Sequence, residues 1–156
     1  MLAPLLLDRL LLVAELFQRD MARSFAGTQL SVARMGVLWI VHHSGPVTQQ
    51  TLAAELGVSP RNISALVDAL VAAGYVRRSP HPSDRRAVLI ELTDVGAALM
   101  KTTAADHAAL SADLLGAVAP ADRAALERGL DAIANRLAEL VTAGVMTPEG
   151  AEPEGR

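Results

Sequence analysis

Apolar residues recur at intervals of three and four through most of this chain, and the interval changes in one short region. The helical pattern predicts four helices in the first half, over residues 4–26, 31–43, 49–56 and 60–73. Ser31, Thr48 and Ser59 stand where the last three of these helices need an N-terminal cap. Pro60 suits the first helical position, and Gly57 can end the third helix in a left-handed conformation.

The region after Gly74 alternates with a period of two. Its apolar residues predict two short antiparallel strands, 75–79 and 87–92, and the Pro- and Ser-rich residues 80–84 between them have the composition of a turn. In the second strand Val88, Ile90 and Leu92 alternate with Leu89 and Glu91. A hairpin that follows two short helices in this way is predicted to be a wing.

Helical periodicity returns beyond the hairpin. It predicts a helix over 94–117, capped by Thr93, and another from residue 120 or 121 to 142. Residues 147–156 are rich in Pro, Glu and Gly, which predicts a disordered tail. The fold class is therefore mainly α with a small two- to three-stranded β wing, a winged helix-turn-helix joined to a helical dimerisation region.

The predicted domain division is discontinuous in sequence. Residues 31–93 form the winged helix-turn-helix, and residues 1–30 together with 94–146 form the helical dimerisation region. The last two helices carry more apolar residues than one winged helix could bury: Leu110, Leu114, Leu115, Leu126, Leu130, Ile133, Leu137 and Leu140. The first helix also has a wide apolar face. We therefore expect a homodimer.

The amino-acid composition limits the classes of protein to which this chain can belong. Hydrophobic residues make up 51% of the 156 residues and aromatic residues only 3%, so Leu, Val and Ala must build the core. The absence of cysteine excludes disulfides, thiolate metal sites and a thiol switch within the chain. The Leu-rich N-terminus is interrupted by charges and lacks a basic start, so neither a signal peptide nor a membrane span is expected. A cytoplasmic protein fits these features.

Charge is distributed unevenly. The chain carries a net charge of −3, but residues 59–90 contain five Arg and two Asp, a local charge of +3, which leaves −6 for the remainder. A basic patch on an acidic body suits a protein that touches DNA with one surface. A solvated basic face is the alternative interpretation.

The basic region begins at the turn between the third and fourth helices. Two short helices joined by residues 57–59 predict a helix-turn-helix whose second helix lies in a DNA groove. Polar and small residues on its outer face can approach base edges and phosphates. The candidate DNA contacts in this helix are Ser59, Pro60, Arg61, Asn62, Ser64 and Ala65, and those in the wing are Arg77, Arg78, Asp84, Arg85 and Arg86.

Within the wing, Asp84 and Arg86 stand two residues apart. On a strand both would point to the same side, where the carboxylate could hold the guanidinium by a two-pronged bond and aim it. An aimed Arg at a hairpin tip suits a narrow minor groove. The alternative is a structural ion pair that stiffens the hairpin.

Several segments carry a resemblance to a known family: 52–59 (LAAELGVS), 66–70 (LVDAL), 74–76 (GYV), 84–86 (DRR) and 92–96 (LTDVG). Together they resemble the MarR family of bacterial transcription regulators. The motifs Asp-x-Arg and Leu-Thr-x-x-Gly are the more specific part, whereas the helix-turn-helix alone is generic.

The resemblance implies a homodimer in which the first helix and the last two helices intertwine. It implies a ligand-responsive repressor that binds a pseudopalindromic operator and is released by small anionic or phenolic molecules. By position, Arg86 would be the minor-groove Arg and Asp84 the residue that orients it. Relatives that sense peroxide use a cysteine, so that mode is excluded for this chain.

Other sites have weaker support in the sequence. Phe17, Arg23, Trp39 and His42 are candidates for an effector pocket, although core positions for the two aromatic residues and a helix-end role for His42 are simpler interpretations. Adjacent His42 and His43 are expected on different sides of their helix, which disfavours a metal site. No phosphate loop, nucleophile elbow or carboxylate pair beside a His is present, so neither an enzyme nor a cofactor is expected.

Two further functions stay open at this point. A winged-helix interaction or dimerisation module without DNA binding would fit the acidic overall charge and the Asp68 beside the recognition face. A ligand-binding helical protein with a vestigial winged part is the third possibility.

Overall fold

The computed structural model describes residues 5–84 and 86–144. Over these residues the elements are α1 (Leu6–Phe25), α2 (Val32–Ser44), β1 (Val47–Thr48), α3 (Gln49–Leu56), α4 (Pro60–Ala72), β2 (Val76–Pro80), β3 (Val88–Leu92), α5 (Asp94–Gly116) and α6 (Arg123–Thr142). The predicted fold class, mainly α with a small β wing, is confirmed. The predicted tail over 147–156 lies outside the described residues.

Side-chain caps define where the helices of the winged part begin. The hydroxyls of Ser31, Thr48 and Ser59 each accept the backbone N–H of the third following residue at 3.2 Å, as predicted. Such a cap typically stabilises a helix by about 1 kcal/mol. Gly57 ends α3 with a φ of 64°, in the left-handed region that glycine adopts without strain. These caps and the left-handed glycine explain why the helix-turn-helix can be predicted from the sequence.

The core of the winged part lies between its three helices and the sheet. Its fully buried large side chains come from every one of these elements and from α5: Val37, Leu38, Leu52, Ile63, Val67, Leu70, Val76, Ile90 and Met100. On α4, three members of the predicted apolar stripe are buried and Leu66 is half-buried. Val32, the first residue of α2, is 56% exposed.

The sheet has three antiparallel strands in the order β1-β3-β2. The β2–β3 hairpin pairs in register from Val76 opposite Leu92 to Pro80 opposite Val88. Val47 of the two-residue strand β1 pairs with Ile90 on the other side of β3. Strand β1 is too short to show a period in the sequence, and tertiary pairing alone reveals it.

Helix α5 crosses the start of β2 at close range. The Thr93 hydroxyl donates to the Gly74 carbonyl at 2.6 Å and accepts the Gly96 N–H at 3.1 Å, and the Thr93 N–H donates to the Tyr75 carbonyl at 3.1 Å. A Cβ on Gly96 would lie 1.9 Å from that Tyr75 oxygen. The Leu-Thr-x-x-Gly motif therefore fastens α5 to the wing, and only glycine fits at its last position.

Contacts divide the chain into two compact units, the first ending at Ala105 and the second beginning at Asp106. In the first unit, α1 has no buried residue, although Phe25 at its end packs against the core. In the second unit, α6 has no buried residue and begins at Arg123, after a turn over 120–122, not at 120 or 121. The predicted division into winged and dimerisation regions remains a prediction.

Candidate nucleic-acid interface

Helix α4 presents a polar face opposite its buried stripe. The predicted contact residues occupy its N-cap and first two turns: Ser59, Pro60, Arg61, Asn62, Ser64 and Ala65. Arg61, Asn62 and Ala65 are exposed, whereas Ser64 is half-buried. The Ser59 hydroxyl accepts the Asn62 N–H and thereby caps the N-terminus of α4. The side chains of Arg61 and Asn62 are the groups on this face that can reach a base edge or a phosphate.

The wing tip is built by two side chains that accept backbone N–H groups. The Nδ1 atom of His81 accepts the N–H of Ser83 at 3.2 Å and that of Asp84 at 3.1 Å. One carboxylate oxygen of Asp84 accepts the Arg86 N–H at 2.9 Å. Because Nδ1 is an acceptor here, the His81 ring carries its proton on Nε2. The turn is therefore shaped by consecutive side-chain caps.

The predicted two-pronged bond from Asp84 to the Arg86 guanidinium is wrong. Residues 84 and 86 lie in the turn before β3, which begins at Val88, so strand geometry does not apply to them. No ion pair joins these two residues, both of which the structure describes. Asp84 instead holds the main chain of Arg86 and positions the side chain only indirectly. Arg85, the other predicted contact in this turn, lies outside the described residues.

Arg77 is committed to a partner across the hairpin. Its Nε donates to Glu91, the residue directly opposite in the β2–β3 register, at 2.7 Å. This hydrogen bond and the Glu91 charge raise the pKa of Arg77 above its ordinary value. The same bond lowers the pKa of Glu91, to which Ser79 also contributes a hydrogen bond. The pair holds the two strands together on the face opposite Arg78.

Arg78 is committed to partners on two helices. Its Nη2 donates to Asp68 of α4 at 2.6 Å and to Gln49, the first residue of α3, at 3.2 Å. The sequence predicted Arg77 and Arg78 only as DNA contacts, and it predicted neither of these two ion pairs. The signal for Arg78 was present in part, because an Asp on the outer face of a DNA-reading helix needs a cation to offset it.

Arg61 and Arg86 are the exposed cations of this surface that make no ion pair with any other residue the structure describes. Arg86 and Asp84 line an open groove of about 360 Å³ beside the first turn of α3, where Thr48 and Gln50 form the other wall. The wing tip and the helix-turn-helix thus flank a common surface. Both unpaired guanidinium groups are available to an anionic partner.

His81 offers a test of how the wing tip is held. Replacing it with Phe removes the acceptor for two backbone N–H groups, whereas Asn keeps an acceptor oxygen within reach of the same turn. We expect the Ser83 and Asp84 amides of His81→Phe to exchange with solvent about fivefold faster, since one neutral hydrogen bond contributes about 1 kcal/mol. His81→Asn should stay close to the wild type. Equal exchange in all three proteins, measured by NMR, would show that the ring does not hold the turn.

The residues predicted for an effector pocket fall into two groups. On α2 the half-buried Trp39 has its ring centroid 5.9 Å from that of His42 and 5.3 Å from that of His43. The two His rings are themselves 5.4 Å apart, so the expectation that they diverge is wrong. Trp39 lies three and four residues before them, which brings both rings to its side. Phe17 and Arg23 are exposed on α1, and their membership of the same pocket stays a prediction.

Neither a metal cluster nor a membrane-spanning helix is present in the part of the chain that the structure describes. No three His, Asp or Glu side chains at residues 5–84 and 86–144 are grouped so that they could hold a metal ion. None of the described helices combines the length and the apolar character that crossing a bilayer requires.

The fold and the wing motif agree with comparisons to known proteins. A model of the MarR family matches residues 30–88, which span α2 to the beginning of β3. The winged part of the chain is similar to the MarR family. The match includes the helix-turn-helix and the wing tip, so the residues that shape the candidate interface lie within the segment that resembles the family.

Solved structures of MarR-family type share the fold over most of the chain. FabT from Streptococcus pneumoniae, crystallised in complex with DNA, has a TM-score of 0.79 and 20% identity over 85% of this chain and 95% of FabT. RV1404 from Mycobacterium tuberculosis has a TM-score of 0.69 and 28% identity over 86% of this chain and 96% of that protein. At its low identity, the FabT comparison supports the fold alone.

The curated relatives match only part of this chain. The HTH-type transcriptional repressor NicR of Pseudomonas putida is 38% identical over 72 residues, which are 46% of each chain. The chain spans about half the length, or less, of most of the curated relatives it matches.

Proposed function

We propose that this protein is a sequence-specific DNA-binding transcriptional regulator, with α4 as the helix that reads the major groove and the wing tip as its second contact. The observation that carries the proposal is the pair of exposed guanidinium groups of Arg61 on α4 and Arg86 at the wing tip, neither of which forms an ion pair with a residue that the structure describes. Asn62 adds a side chain able to bond to a base edge. The crystallisation of FabT with DNA supports the same use of the shared fold.

The proposal extends to a homodimer in the cytoplasm. In α1 and at Leu5 just before it, the apolar side chains are 41–72% exposed: Leu5, Leu6, Leu7, Leu11, Leu12, Val13, Leu16 and Phe17. In α6 Leu126, Leu130, Leu137 and Val141 are 40–64% exposed. Monomeric proteins rarely expose contiguous apolar patches of more than a few hundred Å². A second copy of the chain would cover both helices and would set two winged parts on a pseudopalindromic operator.

Repression and effector response complete the proposed function. NicR, which is 38% identical to this chain over 72 residues, is named a repressor. An effector that contacts the Trp39 and His42 rings would sit on α2, the helix whose buried side chains pack against α4. Displacing α2 would then move the recognition helix.

Selection of bound sequences from a random DNA pool tests the DNA-binding function. We expect enrichment of one pseudopalindromic sequence, and affinity for it that falls steeply with salt because phosphate contacts release counterions. Four contacts from Arg61 and Arg86 of two protomers give a slope of log K against log salt of about −3 to −4. A pool without enrichment, or a flat salt dependence, would contradict the proposal.

Sedimentation at micromolar concentration tests the dimer. We expect twice the mass of one chain, and dissociation when exposed leucines of α1 such as Leu11 and Leu12 are replaced together with Glu, since an unpaired charge in an apolar interface is costly. Replacing the exposed Gln18 of the same helix with Glu is the matched control and should leave the mass unchanged. If the wild-type protein sediments as a monomer, the proposed dimer is wrong. The DNA-binding proposal is then tested by the pool selection alone.

A second function has one specific observation in its favour. Arg77 and Arg78 are each neutralised by a carboxylate, which leaves the winged surface less basic than its Arg content indicates. A winged-helix interaction module without DNA binding would have such a surface. The pool selection separates the two functions, because an interaction module enriches no sequence.

A further inference from the structure

Arg78 joins three elements of the winged part through one nitrogen. Its Nη2 donates to Asp68 on α4 and to Gln49 at the start of α3, while its own main chain belongs to β2. The direction of the side chain follows from the strand. Val76, two residues earlier on β2, is buried against the helices, and alternate residues of a strand point to the same face. Arg78 therefore faces α3 and α4.

The ion pair between Arg78 and Asp68 explains why an acidic residue lies on the recognition helix. Asp68 lies on the exposed side of α4, where a carboxylate repels DNA phosphates. With its oxygen 2.6 Å from Arg78, the carboxylate holds a cation that would otherwise be free to contact phosphate. Asp68 therefore lowers the positive charge of this surface twice, through its own negative charge and through the Arg78 cation that it pairs with. Attraction to DNA does not explain such a residue, whereas a role in holding the wing does.

We propose that Arg78 is a positioning residue and not a phosphate contact, and that with Asp68 and Gln49 it fixes the wing at a set angle to the recognition helix. The inference rests on the proposed DNA-binding function. Strand β2 is the outer strand of the sheet and pairs only with β3 among the strands described, so a side-chain link to α4 restrains the hairpin directly. Arg86 at the tip and Arg61 on α4 then bind DNA with a fixed separation.

Asp68→Asn separates the two roles by the sign of its effect. If the residues act only through charge, removing an anion from a DNA-facing helix strengthens binding. If they hold the wing, the same change loosens it, and we expect binding about three- to tenfold weaker. Arg78→Gln should weaken binding to a similar degree without reducing the salt slope, and the double variant should be no weaker than Arg78→Gln alone. Asp131→Asn on α6, with an equal loss of charge, is the matched control.

Amide exchange of β2 and β3 in the DNA-free protein supplies an independent measurement. We expect faster exchange in Asp68→Asn and in Arg78→Gln, with the thermal midpoint unchanged because exposed ion pairs contribute little to stability. Tighter or unchanged DNA binding by Asp68→Asn would overturn the positioning role and leave the DNA-binding function intact. If the wild type binds no DNA, the proposed function fails, and unchanged exchange in Asp68→Asn would then overturn the positioning role as well.

Discussion

Gly96→Ala is expected to destabilise the protein by about 3 kcal/mol or more, because the added methyl group has no space. It would meet the backbone of Tyr75, with the oxygen at 1.9 Å and the carbonyl carbon at 2.9 Å. Backbone atoms cannot rotate away as a side chain can, so α5 must shift from β2. That shift also stretches the hydrogen bonds through which Thr93 links α5 to Gly74 and Tyr75.

Thermal and urea unfolding measure this effect. For a chain of this length the expected loss corresponds to a fall in Tm of about 6–12 °C. Gly129→Ala is the matched control, because a Cβ at that exposed position of α6 meets nothing within 4 Å and alanine favours helix by about 0.5–1 kcal/mol. The two substitutions should therefore act in opposite directions. Similar midpoints for both variants would contradict the close approach of α5 to β2.

Arg86→Ala is expected to weaken operator binding at least tenfold, about 1–3 kcal/mol for each contact, while the protein stays folded. The side chain is exposed, forms no ion pair with the residues the structure describes, and stands at the wing tip on a backbone held by Asp84. Removing it takes a cation from the DNA surface and leaves the core untouched. A reduced salt slope should accompany the loss, since fewer counterions are released.

Fluorescence anisotropy with the selected operator at fixed salt measures the loss. Arg128→Ala removes the same charge from an exposed position of α6 and should leave affinity within about twofold, because a distant charge on the surface is screened by salt. Asp84→Asn keeps an oxygen that can accept the Arg86 N–H and should retain most of the binding, in contrast to Asp84→Ala. Equal affinity of Arg86→Ala and the wild type would remove this residue from the interface.

Local chemistry made much of the winged part predictable. The caps at Ser31, Thr48 and Ser59 and the left-handed Gly57 act within one turn of helix, so their side chains suffice to place α2, α3 and α4. The period of two likewise placed β2 and β3 to within a residue. The resemblance to the MarR family followed from the same segments, because the wing and helix-turn-helix motifs are short and contiguous.

Contacts between residues far apart in the chain could not be predicted from the sequence. The pairing of Arg78 with Asp68 joins residues ten apart, and that with Gln49 joins residues twenty-nine apart, so no local period reports them. The assumed bond between Asp84 and Arg86 failed for a related reason, since its geometry depended on whether the chain there is strand or turn. The partner of a long charged side chain is decided by what the fold brings within reach.

The sequence by itself determined the helices, the hairpin, the resemblance of the winged part to the MarR family and the segments in which Arg residues gather. Only the tertiary structure decided which of those cations are free, because Glu91 and Asp68 reach Arg77 and Arg78 from other elements. It likewise decided that Gly96 is required, since the Tyr75 backbone that excludes a side chain there comes from the other strand's side of the hairpin, before β2. Local propensity acts along the chain, whereas charge pairing and steric exclusion act through space.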